Sequence, residues 1–575
     1  MSERSGAGTP GQRDPAPPVD TPRKRGTRQE IASGGLWSVA TWVVSTVAGP
    51  VLVVALVRRM TRVEFGALAT ASSAVGLVMA TVLIGLGPAL ARFGAVARAE
   101  RGDAGLWRVL TDSARLIALA TCAAVLAGGG LLLVAFWLPN LHSSRPALVA
   151  FLPTLAVAPA VGAAAGFLRA AYRPRWISLA GVVGAVASAA VIIAGLVVTR
   201  PAAWFVAGAR TGGALLSAAL LGWAVLHWRR RSVVHDAQRR DEEVVSATAE
   251  DGDPSFHAVV SDRPATDRAG LDAADLRSPR VTRRSLVRFG MAIQLGALFG
   301  AAVNELGVFL LGAERGAHSA AIFAPAAGVA ATVLAVPALI GGFFLPGIAP
   351  AASRGDHAEG GRLFYWASRW NLALTAPALG VLVVCPADVL KFLFGQGLVL
   401  AAEALRILGI GCAIQVMFGF NGLTLGGYGL SGLLARLNVA CVIVASLCCV
   451  LFIPAFGLTG AAIAASASLL LANLLYSLIL KTRFGIAPTN RAMLLTIVLF
   501  AGATGLSFWI SQFVERGLAR CLLVAAVTGA VTLLAAFGSG GRSERARVLE
   551  LGRERWRRQK RQRSEPEGSD VAAAP

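Results

Sequence analysis

Charge is what this chain has least of. Only 15% of its residues are Asp, Glu, Lys or Arg, against 55% apolar, and its mean hydropathy is +0.64. A soluble chain of 575 residues would fold as several domains with polar coats, and too few polar residues are present to make them. Lysine is nearly missing, with 4 Lys beside 50 Arg. Histidine is rare too. The 6 His do not cluster, and no GxSxG or HExxH motif occurs, so a hydrolase or a membrane polymerase would have little to work with. The 7 cysteines (Cys122, Cys385, Cys412, Cys441, Cys448, Cys449, Cys521) lie in apolar runs or at their edges. They form no CxxC pair and have no His at zinc-ligand spacing, so they read as small core residues; no metal and no cofactor are expected. The first 30 residues hold no short apolar stretch with a cleavage site. Met1–Glu30 is polar and rich in Pro and Arg, a disordered cytoplasmic tail ahead of an uncleaved first helix.

What is present is apolar length. A span needs about 20 apolar residues to cross a hydrocarbon layer of roughly 30 Å. Leu36–Val57 and Trp176–Thr199 meet that length with no charged residue, and Leu437–Leu480 has none for 44 residues. The last run is roughly 66 Å of helix, two crossings, with Pro454 and Gly457 at the turn. Reading apolar runs against charge predicts an all-α polytopic membrane protein of about 14 helices. The spans fall near Leu36–Val57, Phe65–Ala89, Leu116–Trp137, Leu148–Ala171, Trp176–Val198, Trp204–His227, Leu286–Leu311, Ala320–Leu345, Asn371–Pro386, Ala404–Leu425, Leu437–Ile453, Leu458–Leu480, Met493–Phe513 and Leu518–Phe537. Asn371–Pro386 is short and is expected to extend back towards Trp366.

The net charge of +22 would suggest nucleic acid in a soluble protein. Here the basic residues sit in tails and loops, the positive-inside bias of a membrane protein, and no nucleic acid is expected as a partner. With both tails in the cytoplasm, 43 basic residues fall inside and 9 outside, leaving Arg210 and Arg406 within spans. The expected organisation is a disordered cytoplasmic tail over residues 1–33, an N-lobe of six helices over 34–228, and a mixed-charge, disordered cytoplasmic linker over 229–285. A C-lobe of six helices follows over 286–481, then two further helices over 482–538 and a basic cytoplasmic tail over 539–575. A faint repeat fits this six-plus-six division. "ATVL" occurs at Ala80–Leu83 and again at Ala331–Leu334, each followed by "RGD" at Arg101–Asp103 and Arg354–Asp356.

Ionisable and polar groups inside spans are the candidate site, since each is costly in hydrocarbon unless it meets water or a partner. Arg210, Asn304, Glu305, Glu403 and Arg406 all fall in the outward half of the membrane. They are expected to line one aqueous cavity, the arginines attracting a phosphate and the glutamates holding them in place. Arg210 and Arg406 are also near enough to helix ends to snorkel. Asn371, Gln415, Asn421, Asn438 and Asn473 are expected to hydrogen-bond between helices. Gly427-Tyr-Gly429-Leu-Ser-Gly432 fits GxGxxG, but it lies between two membrane helices and reads as a turn. Gly457–Ser468 is nearly all Gly, Ala, Ser and Thr, and is expected to be the lean face closely approached when the outward mouth shuts.

Three stretches carry a family resemblance. The opening run includes Glu64-Phe65-Gly66 after the first helix, Gly85–Gly87 at the end of the second, and the pair Arg92-Phe93. "PADVLKFLFGQGLVLAAEALRILGIG" and "LCCVLFIPAFGLTGAAIAASAS" follow in order. Together these resemble the bacterial polysaccharide exporters, oligosaccharide-lipid flippases of the multidrug/oligosaccharidyl-lipid/polysaccharide superfamily. The resemblance implies two six-helix lobes around a central cavity that opens alternately to each side. It implies a polyprenyl-linked oligosaccharide or cell-wall polysaccharide unit as cargo, with no enzyme activity. Partners would be membrane lipids and glycan assembly enzymes, and the location the cytoplasmic (inner) membrane. A peptidoglycan-precursor (lipid II) flippase or a drug or cation exporter of the same superfamily are the alternatives.

Overall fold

The computed structural model describes residues 48–250 and 283–540. The expected N-terminal tail, the start of the first helix, residues 251–282 of the linker and most of the basic C-terminal tail lie outside the described residues. Within them the chain is helical, and no strand occurs among the described residues.

The first lobe comprises α1 (48–59), α2 (Arg62–Val82), α3 (Leu86–Trp137), α4 (Arg145–Ala170), α5 (Pro174–Val198) and α6 (Ala203–Glu250). The second comprises α7 (Arg283–Arg315), α8 (Ala317–Val333), α9 (Ala335–Ser353), α10 (His357–Val384), α11 (Pro386–Phe394), α12 (Ala402–Met417), α13 (Asn421–Gly427), α14 (Ser431–Phe456) and α15 (Leu458–Phe484). Two peripheral helices, α16 (Arg491–Ile510) and α17 (Leu518–Gly538), pack on α10. Side-chain caps set several starts: Thr61, Asp356 and Asn490 accept from the backbone N–H three residues on.

Twelve helices among the described residues are long and apolar enough to cross a membrane. The expected count of 14 is not established by this. One of the twelve is a run of 76 residues, Arg62–Trp137, far longer than one crossing needs. It reverses at Arg101-Gly102, where Gly102 takes a φ of +63° that an L side chain avoids. Leu106 then packs beside Gly94, and Arg98 pairs with Asp103 at 2.8 Å across the turn. The first expected span begins outside the described residues.

Both copies of the sequence repeat land on corresponding features. "ATVL" ends α2 at Leu83 and ends α8 at Leu334, so the second helix of each lobe breaks there and resumes as α3 or α9. "RGD" forms the reversal that follows, with φ of +63° at Gly102 and +69° at Gly355. The second helix therefore does not close on Gly85–Gly87 but bends there and runs on.

Two further expectations change. The linker does not begin at residue 229, because α6 continues to Glu250. Residues 229–250 contain no Gly or Pro and are rich in Arg, Glu and Ala, so nothing stops the helix until Gly252 and Pro254. Gly457–Ser468 is not a face offered to the opposite lobe. A Cβ at Gly460 would overlap the Phe452 carbonyl of α14, Ala461 lies against Gly307 of α7, and Ser466 donates to the Ile407 carbonyl at 3.0 Å. Three helices of its own lobe pack on the lean surface, and Ala461, Ala464 and Ala465 also border a narrow space within that lobe.

Candidate functional site

The lobes meet along α2 and α7, and one end of that seam is closed by short, directional contacts. The stretch "TRVEFG" builds it. Glu64 accepts from the Ala203 N–H at 2.6 Å, capping α6, while Phe65 is buried. At Gly66 a Cβ would overlap the Ala317 carbonyl, so α2 touches the first turn of α8 backbone to backbone. Arg58 donates to the carbonyls of Leu393 at 2.8 Å and Phe392 at 2.6 Å. Asn140 donates to the carbonyls of Ala313 and Glu314 at 3.1 and 2.8 Å.

Behind this closure lies a cavity of about 190 Å³ between the lobes, lined by Ser72, Ser73, Arg210, Asn304 and Glu305 among apolar groups. Five helices converge there: α1, α2, α6, α7 and α8. Thr211 fixes the register of α6 by donating to the Ala150 carbonyl at 2.7 Å, which leaves its neighbour Arg210 on the cavity. Arg210 has no hydrogen bond or ion pair among the described residues, and its exposed part faces this space. Glu305 accepts from Ser73 at 2.7 Å and does not pair with Arg210. Gly76 lies beside it, where a Cβ would make ordinary contact with the Glu305 Cγ at 3.5 Å.

A larger cavity of about 430 Å³ opens within the second lobe, towards the α13–α14 turn. Asn304, Gln415, Asn438, Asn473 and Tyr476 are its polar lining. Asn473 donates to Gln415 at 2.6 Å, and the Tyr476 hydroxyl donates to Asn438. Asn421 donates to Ser477 at 2.8 Å nearby. These are the interhelical bonds expected of the amides; Asn371 is buried and lines none of the cavities described. A third, narrow space lies between the two. Asn304 borders all three, and each is otherwise lined mainly by apolar groups.

Of the five residues expected to share a cavity, the structure brings together Arg210, Asn304 and Glu305. Glu403 and Arg406 line none of these spaces. They pair with each other at 2.7 Å, three residues apart, and Arg406 also donates to the Val383 carbonyl at 3.0 Å. That carbonyl lies in the last turn of α10, where a cation is favourable, so the pair fastens α12 to α10. The GxGxxG stretch is a turn, with Tyr428 stacked on Phe484 at 4.3 Å.

Sequence reasoning missed Gln294. It donates to the Ala80 carbonyl at 2.7 Å and accepts from the Gly85 N–H at 3.0 Å. The break at residues 83–85 orphans both of those groups, and one carboxamide from α7 satisfies them in a buried place. A lone Gln inside an apolar run was the available signal. The pair Arg92-Phe93 also meets α7. Arg92 stands 4.6 Å from the ring centre of Phe289, and Phe93 packs edge-on to it at 5.8 Å.

The fold defines a multi-pass helical membrane protein of two lobes with a cavity between them. Residues 31–248 match the family model described as polysaccharide biosynthesis protein. The fold is similar to an inward-facing multidrug resistance MATE family transporter of the MOP superfamily, with a TM-score of 0.57 at 12% identity, covering 76% of this chain and 93% of that one. It is also similar to the lipid II flippase MurJ in an inward closed conformation, with a TM-score of 0.53 at 10% identity, covering 87% and 98%. A MATE in complex with MaL6 gives 0.51 at 12% identity, covering 80% and 96%. No curated protein matches the chain significantly. Residues 31–248 thus carry the pattern of the polysaccharide biosynthesis family model, and the chain shares the fold of these solved transporters.

Proposed function

We propose that the protein is a flippase that moves a polyprenyl-linked oligosaccharide or cell-wall polysaccharide unit across the cytoplasmic membrane by alternating access. Both termini lie in the cytoplasm, and no bond is broken. Such a cargo joins a hydroxyl-rich head, a pyrophosphate and a lipid tail. Its head cannot enter hydrocarbon without losing its water. A cavity with polar groups between rocking lobes removes that barrier while the tail stays in lipid.

The observation that carries this reading is Arg210. A guanidinium inside a helical membrane bundle is costly, and is retained where it meets a partner or water. This one faces the interlobe cavity without an acidic partner. A phosphate group is the chemical complement, bound by charge-assisted hydrogen bonds. Asn304 and the Ser73–Glu305 pair supply neighbouring donors and acceptors for sugar hydroxyls. In the closed arrangement of the end bearing Arg58 and Asn140, cargo would enter from the opposite end, where the larger cavity lies.

The test is reconstitution into vesicles with a labelled lipid-linked oligosaccharide, measuring its arrival in the opposite leaflet. Arg210→Ala should slow transfer by about tenfold or more, the loss of one charged hydrogen bond of about 1.5–3 kcal/mol. An unchanged rate would remove Arg210 from the mechanism. The family match over residues 31–248 favours a polysaccharide unit. The fold shared with the lipid II flippase supplies lipid II as the second reading, and lipid II as competitor in the same assay separates the two.

A further inference from the structure

At the far edge of the second lobe, away from the cavities, α10 and α17 run antiparallel. Gly380 lies against Thr528, and Pro377 against Gly529. The same register carries Cys385, the residue that ends α10, to Cys521 in the first turn of α17. The two Sγ atoms and a carboxylate oxygen of Asp388 all lie within 4.8 Å of one another. Arg520, next to Cys521 in the chain, reaches Asp388 at 3.5 Å and donates to the Ser511 hydroxyl at 2.9 Å. Two thiols, one carboxylate and one guanidinium thus share a small space at the end of the bundle that also carries α11.

We infer that Cys385 and Cys521 are a disulfide site that fastens the last two helices to the lobe. The inference rests on the orientation proposed above, which puts this end outside the cytoplasm, where disulfides form and persist. Bringing the sulfurs to bonding distance needs a closing movement of at most about 3 Å. One thiolate attacks a sulfur of an external thiol–disulfide oxidant and expels that oxidant's other sulfur as thiolate. The second cysteine, as thiolate, then attacks the mixed disulfide and releases the remaining oxidant sulfur. The protein loses two electrons and two protons, and the oxidant leaves as two thiols. A metal fits the same atoms less well. Only three ligand atoms are present, and Arg520 already neutralises Asp388.

Free thiols of the full chain are blocked with N-ethylmaleimide during denaturing lysis of cells; the protein is then reduced and given a second alkylating label. Peptide mass spectrometry should find the second label on Cys385 and Cys521 in most molecules, and the first on Cys412 and Cys441. Reduction should lower the melting temperature of the purified chain and leave a Cys385→Ser, Cys521→Ser variant unmoved. First label on both cysteines, even after incubation of membranes with oxidised glutathione, overturns the inference; so does stoichiometric zinc bound to the reduced pair. Orientation is read separately, by adding Glu515→Cys to the double-serine variant and treating intact cells with a membrane-impermeant maleimide. Labelling at 515 with a reduced pair sinks the disulfide and leaves the orientation standing. A bonded pair without labelling at 515 keeps the disulfide and sinks the orientation.

Discussion

Single residues in this protein are explained by what the membrane denies them. Arg210, Asn304 and Glu305 stand out in the sequence because each is polar in an apolar run, and the structure brings these three to one interlobe cavity. Glu403 and Arg406 stand out for the same reason, yet they neutralise each other at 2.7 Å outside it. Their spacing of three on a helix already permits such a pair, and only the position of Val383 shows that it is a fastening. Glu305→Gln keeps the size and an acceptor for Ser73, so the fold should hold, with a melting temperature close to the parent's. If the charge serves the cargo, the transfer rate in vesicles should fall several-fold; equal rates would confine Glu305 to packing. Gln294→Ala carries the opposite expectation. It leaves the Ala80 carbonyl and the Gly85 N–H buried without partners, at about 1–3 kcal/mol for each group. Thermal unfolding in detergent should show a lowered midpoint, and Gln294→Glu should restore only the bond from the Gly85 N–H.

At the scale of elements, the second helix of each lobe is the part that bends. The repeat "ATVL" marks both breaks, at Leu83 and Leu334, and "RGD" marks both reversals. Equivalent breaks in equivalent helices are what a duplicated lobe would keep if the two must move against each other. The repeat was visible in the sequence, but its meaning was not, because a break depends on where the orphaned backbone groups find partners. The short turn between α1 and α2 shows the same dependence. "TRVEFG" reads as a cap followed by a glycine, and the contact of Gly66 with the Ala317 backbone comes from a helix some 250 residues away. Gly66→Val should wedge α2 from α8. Spin labels placed on the two lobes at this end should report a longer distance, and an unchanged distance would show that the seam is not held there.

The molecule as a whole is two lobes joined along α2 and α7 and shut at one end. Alternating access requires that end to open, so holding it shut should stop transport without unfolding anything. Asn140 of the first lobe bonds the Glu314 carbonyl of the second. Asn140→Cys with Glu314→Cys, oxidised to a disulfide, should abolish transfer of labelled lipid-linked glycan, and reductant should restore it. Transfer that continues through the cross-linked form would defeat the rocking-lobe reading. The lean stretch at Gly457–Ser468 belongs to this scale as well. Its composition implies close packing without naming the partner, because small residues say that something comes near and not what. Gly460→Leu is accordingly expected to disrupt the second lobe, seen as loss of folded protein, rather than to jam a gate.

Composition and periodicity alone determined that this chain is a bundle of membrane helices. Water and hydrocarbon differ so sharply that some twenty uncharged residues have few other fates. The tertiary structure decided which polar groups meet, which of them pair off, and where a guanidinium is left facing a cavity. Those outcomes depend on contacts between residues far apart in the chain, and neither hydropathy nor spacing carries that information.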